Sequence, residues 1–96
     1  MRIFLKLYGV FRSAAGSDAI ALDLPDGHTT VKLAIAELLS RPMFSELKRL
    51  MLDEASDPRP NALILLGGRE IGALAGLETK LKRNDELSLL PIAHGG

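Results

Sequence analysis

Few side chains in this sequence are of types that do chemistry, and the most suggestive stretch is its last six residues, Pro91-Ile92-Ala93-His94-Gly95-Gly96. Glycine has no Cβ, so its backbone approaches partner groups closely and adopts φ/ψ combinations that other residues avoid. A terminal carboxylate carried on two glycines is therefore suited to enter a narrow site on another molecule. From Pro91 to Gly96 an extended chain spans at most about 20 Å, at about 3.3–3.6 Å per residue. That reach lets a carboxylate enter a buried centre while a globular body stays outside. The expectation is a free carboxylate on Gly96 that acts as a chemical handle, with the body of the protein as a docking surface. A diglycine by itself says little, because small residues commonly end chains. Its place a few residues beyond a proline-ended strand gives it meaning.

The other candidates read more plainly. His94, two residues before the end, reads as a solvated tail histidine ahead of a group that tunes the carboxylate. His28 follows the Pro25-Asp26-Gly27 turn and has no companions with metal-ligand spacing, so no metal is expected. Gly67-Gly68 lacks the GxxxxGK[ST] frame of a phosphate loop and reads as a hairpin turn. Glu70, Glu78, Asp85 and Glu86 read as solvated carboxylates. The chain has no cysteine, hence no disulfide and no thiolate chemistry, which points to a cytoplasmic setting. Twelve basic and twelve acidic side chains cancel without forming blocks, unlike the clustered basic face of a nucleic-acid binder. No run approaches the ~20 apolar residues of a membrane span, and Met1-Arg2-Ile3-Phe4-Leu5-Lys6 carries charge within its apolar run, as a strand does and a signal peptide does not.

Several elements must position that tail. Residues 2–8 alternate, with Ile3, Leu5 and Leu7 on one side and Phe4, Lys6 and Tyr8 on the other, which predicts a strand. Residues 9–17 read as a loop with a short helical turn around 12–15. A second strand over 19–24 turns Ile20, Leu22 and Leu24 inward and stops at Pro25-Asp26-Gly27. Thr29 or Thr30 caps the following helix, whose Val31, Ala34, Ile35, Leu38 and Leu39 form one apolar stripe. Pro42 starts a second helix over 42–52 carrying Phe44, Leu47, Leu50 and Met51. Residues 53–60, with two prolines, form a polar loop. Residues 61–66 contain Leu63-Ile64-Leu65-Leu66, the most apolar run, which predicts a central strand buried on both faces with Leu65 in the core. A short returning strand follows Gly67-Gly68, then a compact connector over 72–77 and a brief strand or turn over 79–81. Asn84-Asp85 turns into the last strand over 86–92, where Leu87 and Leu89 point inward and Pro91 disrupts the ladder. The first and last strands are expected side by side and parallel. Together these give an α+β fold, a mixed sheet of four to five strands packed on one main helix, with residues 1–92 as the domain and 93–96 as a flexible tail.

That order of elements is a β-grasp arrangement, and the chain resembles the ubiquitin-like sulfur carriers and small archaeal modifiers. The likeness is densest at Asn61-Ala62-Leu63-Ile64-Leu65, at Leu77-Glu78-Thr79-Lys80-Leu81 through Asn84-Asp85-Glu86-Leu87, at Leu90-Pro91-Ile92, and at Gly95-Gly96. Asn84-Asp85 stands where the family usually has Gly-Asp, one proline stands where molybdopterin-type carriers often have two, and the 42–60 segment is longer than in the minimal carriers.

The resemblance implies a partner of the ubiquitin-activating type that uses ATP to adenylate the Gly96 carboxylate. The adenylate then yields a thiocarboxylate or an amide with a target lysine. The first route would make this chain a sulfur carrier in molybdopterin (molybdenum cofactor) biosynthesis, a non-catalytic small subunit beside the large subunit of molybdopterin synthase. The alternative is a ubiquitin-like modifier conjugated to lysines, and a third reading is a β-grasp interaction module with an idle tail. No cofactor is expected on the chain itself, and neither nucleic acid nor membrane is an expected partner. Gly96 and Gly95 are the expected reactive end. Phe4, Leu90 and Ile92, together with Leu66, are the candidate docking patch.

Overall fold

The computed structural model describes residues 1–93. In β1 (Arg2–Leu7) Ile3, Leu5 and Leu7 are buried and Arg2, Phe4 and Lys6 are exposed, as the period-two pattern predicts. β2 (Ala19–Asp23) runs antiparallel to β1, with Leu5 opposite Ile20 and Ile3 opposite Leu22. On the other side of β1 lies β5 (Glu86–Pro91), parallel to it, with Leu5 beside Leu87 and Leu7 beside Leu89. β3 (Ala62–Leu66) pairs antiparallel with β5, and the two-residue β4 (Arg69–Glu70) pairs antiparallel with β3. The order is β2-β1-β5-β3-β4. Parallel neighbours need a long crossover, and the helices between β2 and β3 provide it. Gly67 and Gly68 have φ of +56° and +84°, the pair of positive values that a two-residue type I′ hairpin requires.

One face of this sheet is covered by three helices. α2 (Val31–Leu39) is the longest and is the main helix expected from its stripe: Val31, Ala34, Ile35, Leu38 and Leu39 are all buried. Thr30 is its cap, accepting the Leu33 N–H at 3.3 Å. Thr29, the other candidate, is buried and donates its hydroxyl to the Pro25 carbonyl at 2.8 Å. The expected helix over 42–52 is split into a 3₁₀ turn, Pro42–Phe44, and α3 (Ser45–Met51). Phe44, Leu47 and Met51 enter the same core as Leu5, Leu22, Leu38, Leu87 and Leu89. The result is an α+β β-grasp fold.

Three expectations are corrected. Residues 9–15 form a true helix, α1 (Gly9–Ala15), where only a loop with a helical turn was predicted. It is stabilised by burying Phe11 and by packing on α3 and β5. Gly16, at φ +72°, closes it by donating its N–H to the Arg12 carbonyl at 2.9 Å. Second, β3 is neither central nor buried on both faces. Ala62 and Ile64 face the core, whereas Leu63 and Leu65 point to the uncovered side. Four consecutive apolar residues carry no period, so their phase is not written in the run itself. Third, Pro91 lies within β5 and the ladder continues past it.

Candidate functional site

The root of the C-terminal segment is built from β5, β3 and the start of α1. Pro91 faces Ala62, and the next residue, Ile92, donates its N–H to the Asn61 carbonyl at 2.9 Å. Antiparallel pairs alternate between bonded and non-bonded positions, so Pro91–Ala62 is the non-bonded one. The proline nitrogen, which has no hydrogen, therefore turns toward the β1 side. The β1–β5 register ends at Leu7–Leu89, so no ladder bond is missed there. Gly9 stands in that place with φ +54°, and a Cβ on it would lie 3.0 Å from Pro91 Cγ. On the opposite side the Asn61 side chain donates to the Met51 carbonyl at 3.2 Å, tying the root to the end of α3. Gly95 and Gly96, the expected reactive residues, lie outside the described residues, as does His94.

The uncovered face of the sheet leads to this root. Leu63 and Leu90 sit directly opposite each other, and Leu65 lies one step along β3 on the same face. Ile92 continues the row past the end of β5, Tyr8 follows the end of β1, and Phe4 sits between Ala21 and Glu86. Phe4 and Leu63 are each 38% exposed and Tyr8 and Ile92 each 41%, while Leu65 and Leu90 are half-buried. Large apolar side chains gathered on one uncovered sheet face mark an interaction site more often than scattered ones do.

Charges frame this face without organising a reaction centre. Lys6 Nζ lies 3.8 Å from Glu86 Oε1, both exposed, a pair that contributes little. At the β1–β2 corner the Arg2 guanidinium donates to both Asp23 oxygens, at 2.9 and 3.1 Å, and holds that carboxyl below its ordinary range. Among the described residues no group of three or more His, Asp or Glu side chains is placed to hold a metal. No described helix is long and apolar enough to cross a membrane.

Of the residues proposed for docking, the structure brings Phe4, Leu90 and Ile92 onto one face and removes Leu66. Leu66 packs against the core, because it shares the inward phase of Ile64. Its place is taken by Leu63 and Leu65, which the reading of β3 as doubly buried had hidden. Tyr8 was also missed, although the outward phase of Phe4 and Lys6 points straight to it.

No protein-family model matches the chain, and a search of the curated proteins finds no match. Solved structures do match. SAMP1 from Haloferax volcanii superposes with a TM-score of 0.83 over 100% of both chains, at 25% sequence identity. The small archaeal modifier protein 1 from Methanosarcina acetivorans is 32% identical with a TM-score of 0.79, over 99% of this chain and 96% of that one. A protein from Pyrococcus furiosus named as a putative molybdopterin converting factor, subunit 1, has a TM-score of 0.73 at 22% identity, over 97% of this chain and 99% of that one. This last likeness is one of fold alone.

Proposed function

The chain belongs to the ubiquitin-like β-grasp family of sulfur carriers and protein modifiers, and from that premise we propose that it is a sulfur carrier activated at Gly96. In this reading a ubiquitin-activating-type enzyme binds ATP, and a Gly96 carboxylate oxygen attacks the α-phosphorus. Pyrophosphate leaves and an acyl-adenylate remains. Hydrosulfide released by a sulfur donor then attacks the acyl carbon, the bond to AMP breaks, and the product is a thiocarboxylate. The chain binds no cofactor of its own in this scheme; ATP belongs to the activating enzyme. Its sulfur goes to molybdopterin synthesis, with this chain as the non-catalytic small subunit beside the large subunit, in the cytoplasm where ATP is available.

The observation that carries this reading is the continuity between the apolar sheet face and the root of the tail. Leu90 and Ile92 belong to both. A partner seated on that face is therefore already beside the point from which residues 93–96 continue. Four extended residues reach about 13–14 Å, at about 3.3–3.6 Å each. Binding energy from a remote surface is then available to orient the reacting carboxylate.

The modifier reading is favoured by a different observation, since the relative at 32% identity is named as a modifier protein. There the same adenylate passes to a lysine amine and forms an amide. One experiment separates the readings: incubation with the cognate activating enzyme, ATP and a sulfur donor, followed by intact-mass spectrometry. A sulfur-for-oxygen exchange at the C-terminus identifies a carrier. Conjugates that disappear on deletion of Gly96 identify a modifier. No mass change and no conjugates would leave a β-grasp interaction module with an unreactive end.

A further inference from the structure

The chain leaves the sheet between two fixed points. On the β3 side Asn61 is engaged on three sides. Its N–H donates to the Pro58 carbonyl at 3.1 Å, its carbonyl accepts the Ile92 N–H at 2.9 Å, and its side chain donates to the Met51 carbonyl at 3.2 Å. On the β1 side the Pro91 ring occupies the space where a side chain on residue 9 would start. Both points are tied to the helical layer. Met51 is a fully buried residue at the end of α3, and Gly9 opens α1, which buries Phe11 and packs on α3. Among the described residues the Ile92–Asn61 bond is the last backbone hydrogen bond toward the C-terminus.

Neither residue type is what its own element asks for. Glycine weakens a helix, and asparagine is scarce in strands. At position 9 the φ of +54° admits glycine or asparagine. A Cβ there would stand 3.0 Å from Pro91 Cγ, so glycine alone meets both demands. At position 61, just before β3, the amide supplies a donor to a helix-end carbonyl that has no intrahelical partner.

We infer that Gly9 and Asn61 are positioning residues for the activation of Gly96, setting where the tail starts and the direction in which it leaves; this rests on the carrier or modifier reading above. The partner seats on Leu63, Leu65 and Leu90, which the β3–β5 ladder holds without either residue. With both contacts in place, Pro91 and Ile92 are set before the partner arrives. Without them the ordering of those two residues falls to the reactive step, at about fivefold to thirtyfold in rate for each backbone residue.

Two variants test this from opposite sides. Asn61→Ala removes the amide donor and keeps the backbone acceptor, and Gly9→Asn tolerates the φ but adds the Cβ. ATP–pyrophosphate exchange is measured against the concentration of this chain with the cognate activating enzyme, well below each Tm. Amide hydrogen exchange is read by NMR on the full chain alone. The Ile92 amide should be protected in the wild type and lose protection in both variants. Ser88 and Leu90, at the bonded positions opposite Leu65 and Leu63, should keep theirs. In both variants kcat should drop about tenfold, with KM for this chain within about twofold of wild type. A lower Tm with kcat unchanged would make Asn61 a plain helix-end cap and Gly9 a plain turn residue. A raised KM at unchanged kcat would place both residues in docking. Either result, read against normal wild-type exchange, overturns this proposal alone, as does an unprotected Ile92 amide in the wild type. No exchange by the wild type overturns the activation reading and this proposal with it.

Discussion

Gly96 carries the reacting group in the proposed chemistry, and its geometry leaves little tolerance. Deleting it moves the carboxylate by about 3.5 Å, where a misplacement of ~1 Å can cost about a hundredfold in rate. Deletion of Gly96, and Gly96→Ala, which adds a Cβ where a tight channel is expected, should each abolish ATP–pyrophosphate exchange with the cognate activating enzyme. Neither should move the Tm, because the buried apolar residues of the described chain end at Leu89. Normal exchange by the deletion variant would remove the carrier and modifier readings together. Leu87 presents the opposite case. It is fully buried, beside Leu5 and opposite Leu66. Leu87→Ala should cost about 2–5 kcal/mol in a urea or guanidinium melt, the range for deep leucine truncation.

At the scale of the element, β5 divides its labour between faces. Leu87 and Leu89 hold the core, while Leu90 faces outward opposite Leu63. Leu90→Asp and Leu63→Asp should each weaken binding to the activating enzyme at least tenfold, about 1.4 kcal/mol, with the circular dichroism spectrum unchanged. Loss of fold in either variant would place that residue in the core and take it out of the docking face. α2 tests a different element-level cause. Its N-terminus is held by the Thr30 hydroxyl, so Thr30→Ala should cost about 0.5–2 kcal/mol of stability, the usual range for a lost cap. A melt indistinguishable from wild type would mean that packing of the stripe alone sets where α2 begins.

For the whole molecule, paired carboxylates shape the response to acid. Hydrogen bonds from the Arg59 side chain, and then from its backbone, lower the Asp57 carboxyl from 3.8 to about 2. Asp23, Asp26 and Glu46 are shifted in the same direction by their own cationic partners. A carboxyl whose folded value is depressed contributes stability that is complete above its unfolded value and is lost as pH falls through the folded one. For Asp57 that window runs from about pH 4 down to about pH 2. Urea midpoints measured across it should fall more steeply for the wild type than for Asp57→Asn. Equal slopes would mean that solvent screens this pair completely, since the carboxylate keeps 26% of its surface exposed.

The sequence by itself determined the features that follow from burial of one face. Alternation in β1, β2 and β5 and the stripe of α2 were legible because a single buried side imposes a period of two or of three to four. A threonine cap at 29 or 30, Pro42 and Gly67-Gly68 were legible because caps, helix starts and tight turns demand particular residues, and the structure chose Thr30. The diglycine drew its meaning from its place beyond a proline-ended strand, and its chemistry stands as the proposal made above. Tertiary structure decided the rest. The continuous run Leu63–Leu66 took its phase from β5 on one side and from the helices above it, which is why Leu65 and Leu66 exchanged the faces expected for them. α1, seven residues containing glycine, serine and alanine, became a helix because Phe11 found a buried place between β5 and α3. Pro91 stayed in its strand because β1 ends at Leu7, leaving nothing on that side for a missing N–H to bond. Each of these outcomes was set by a neighbour distant in sequence, and a local pattern carries no record of where such a neighbour lies or stops.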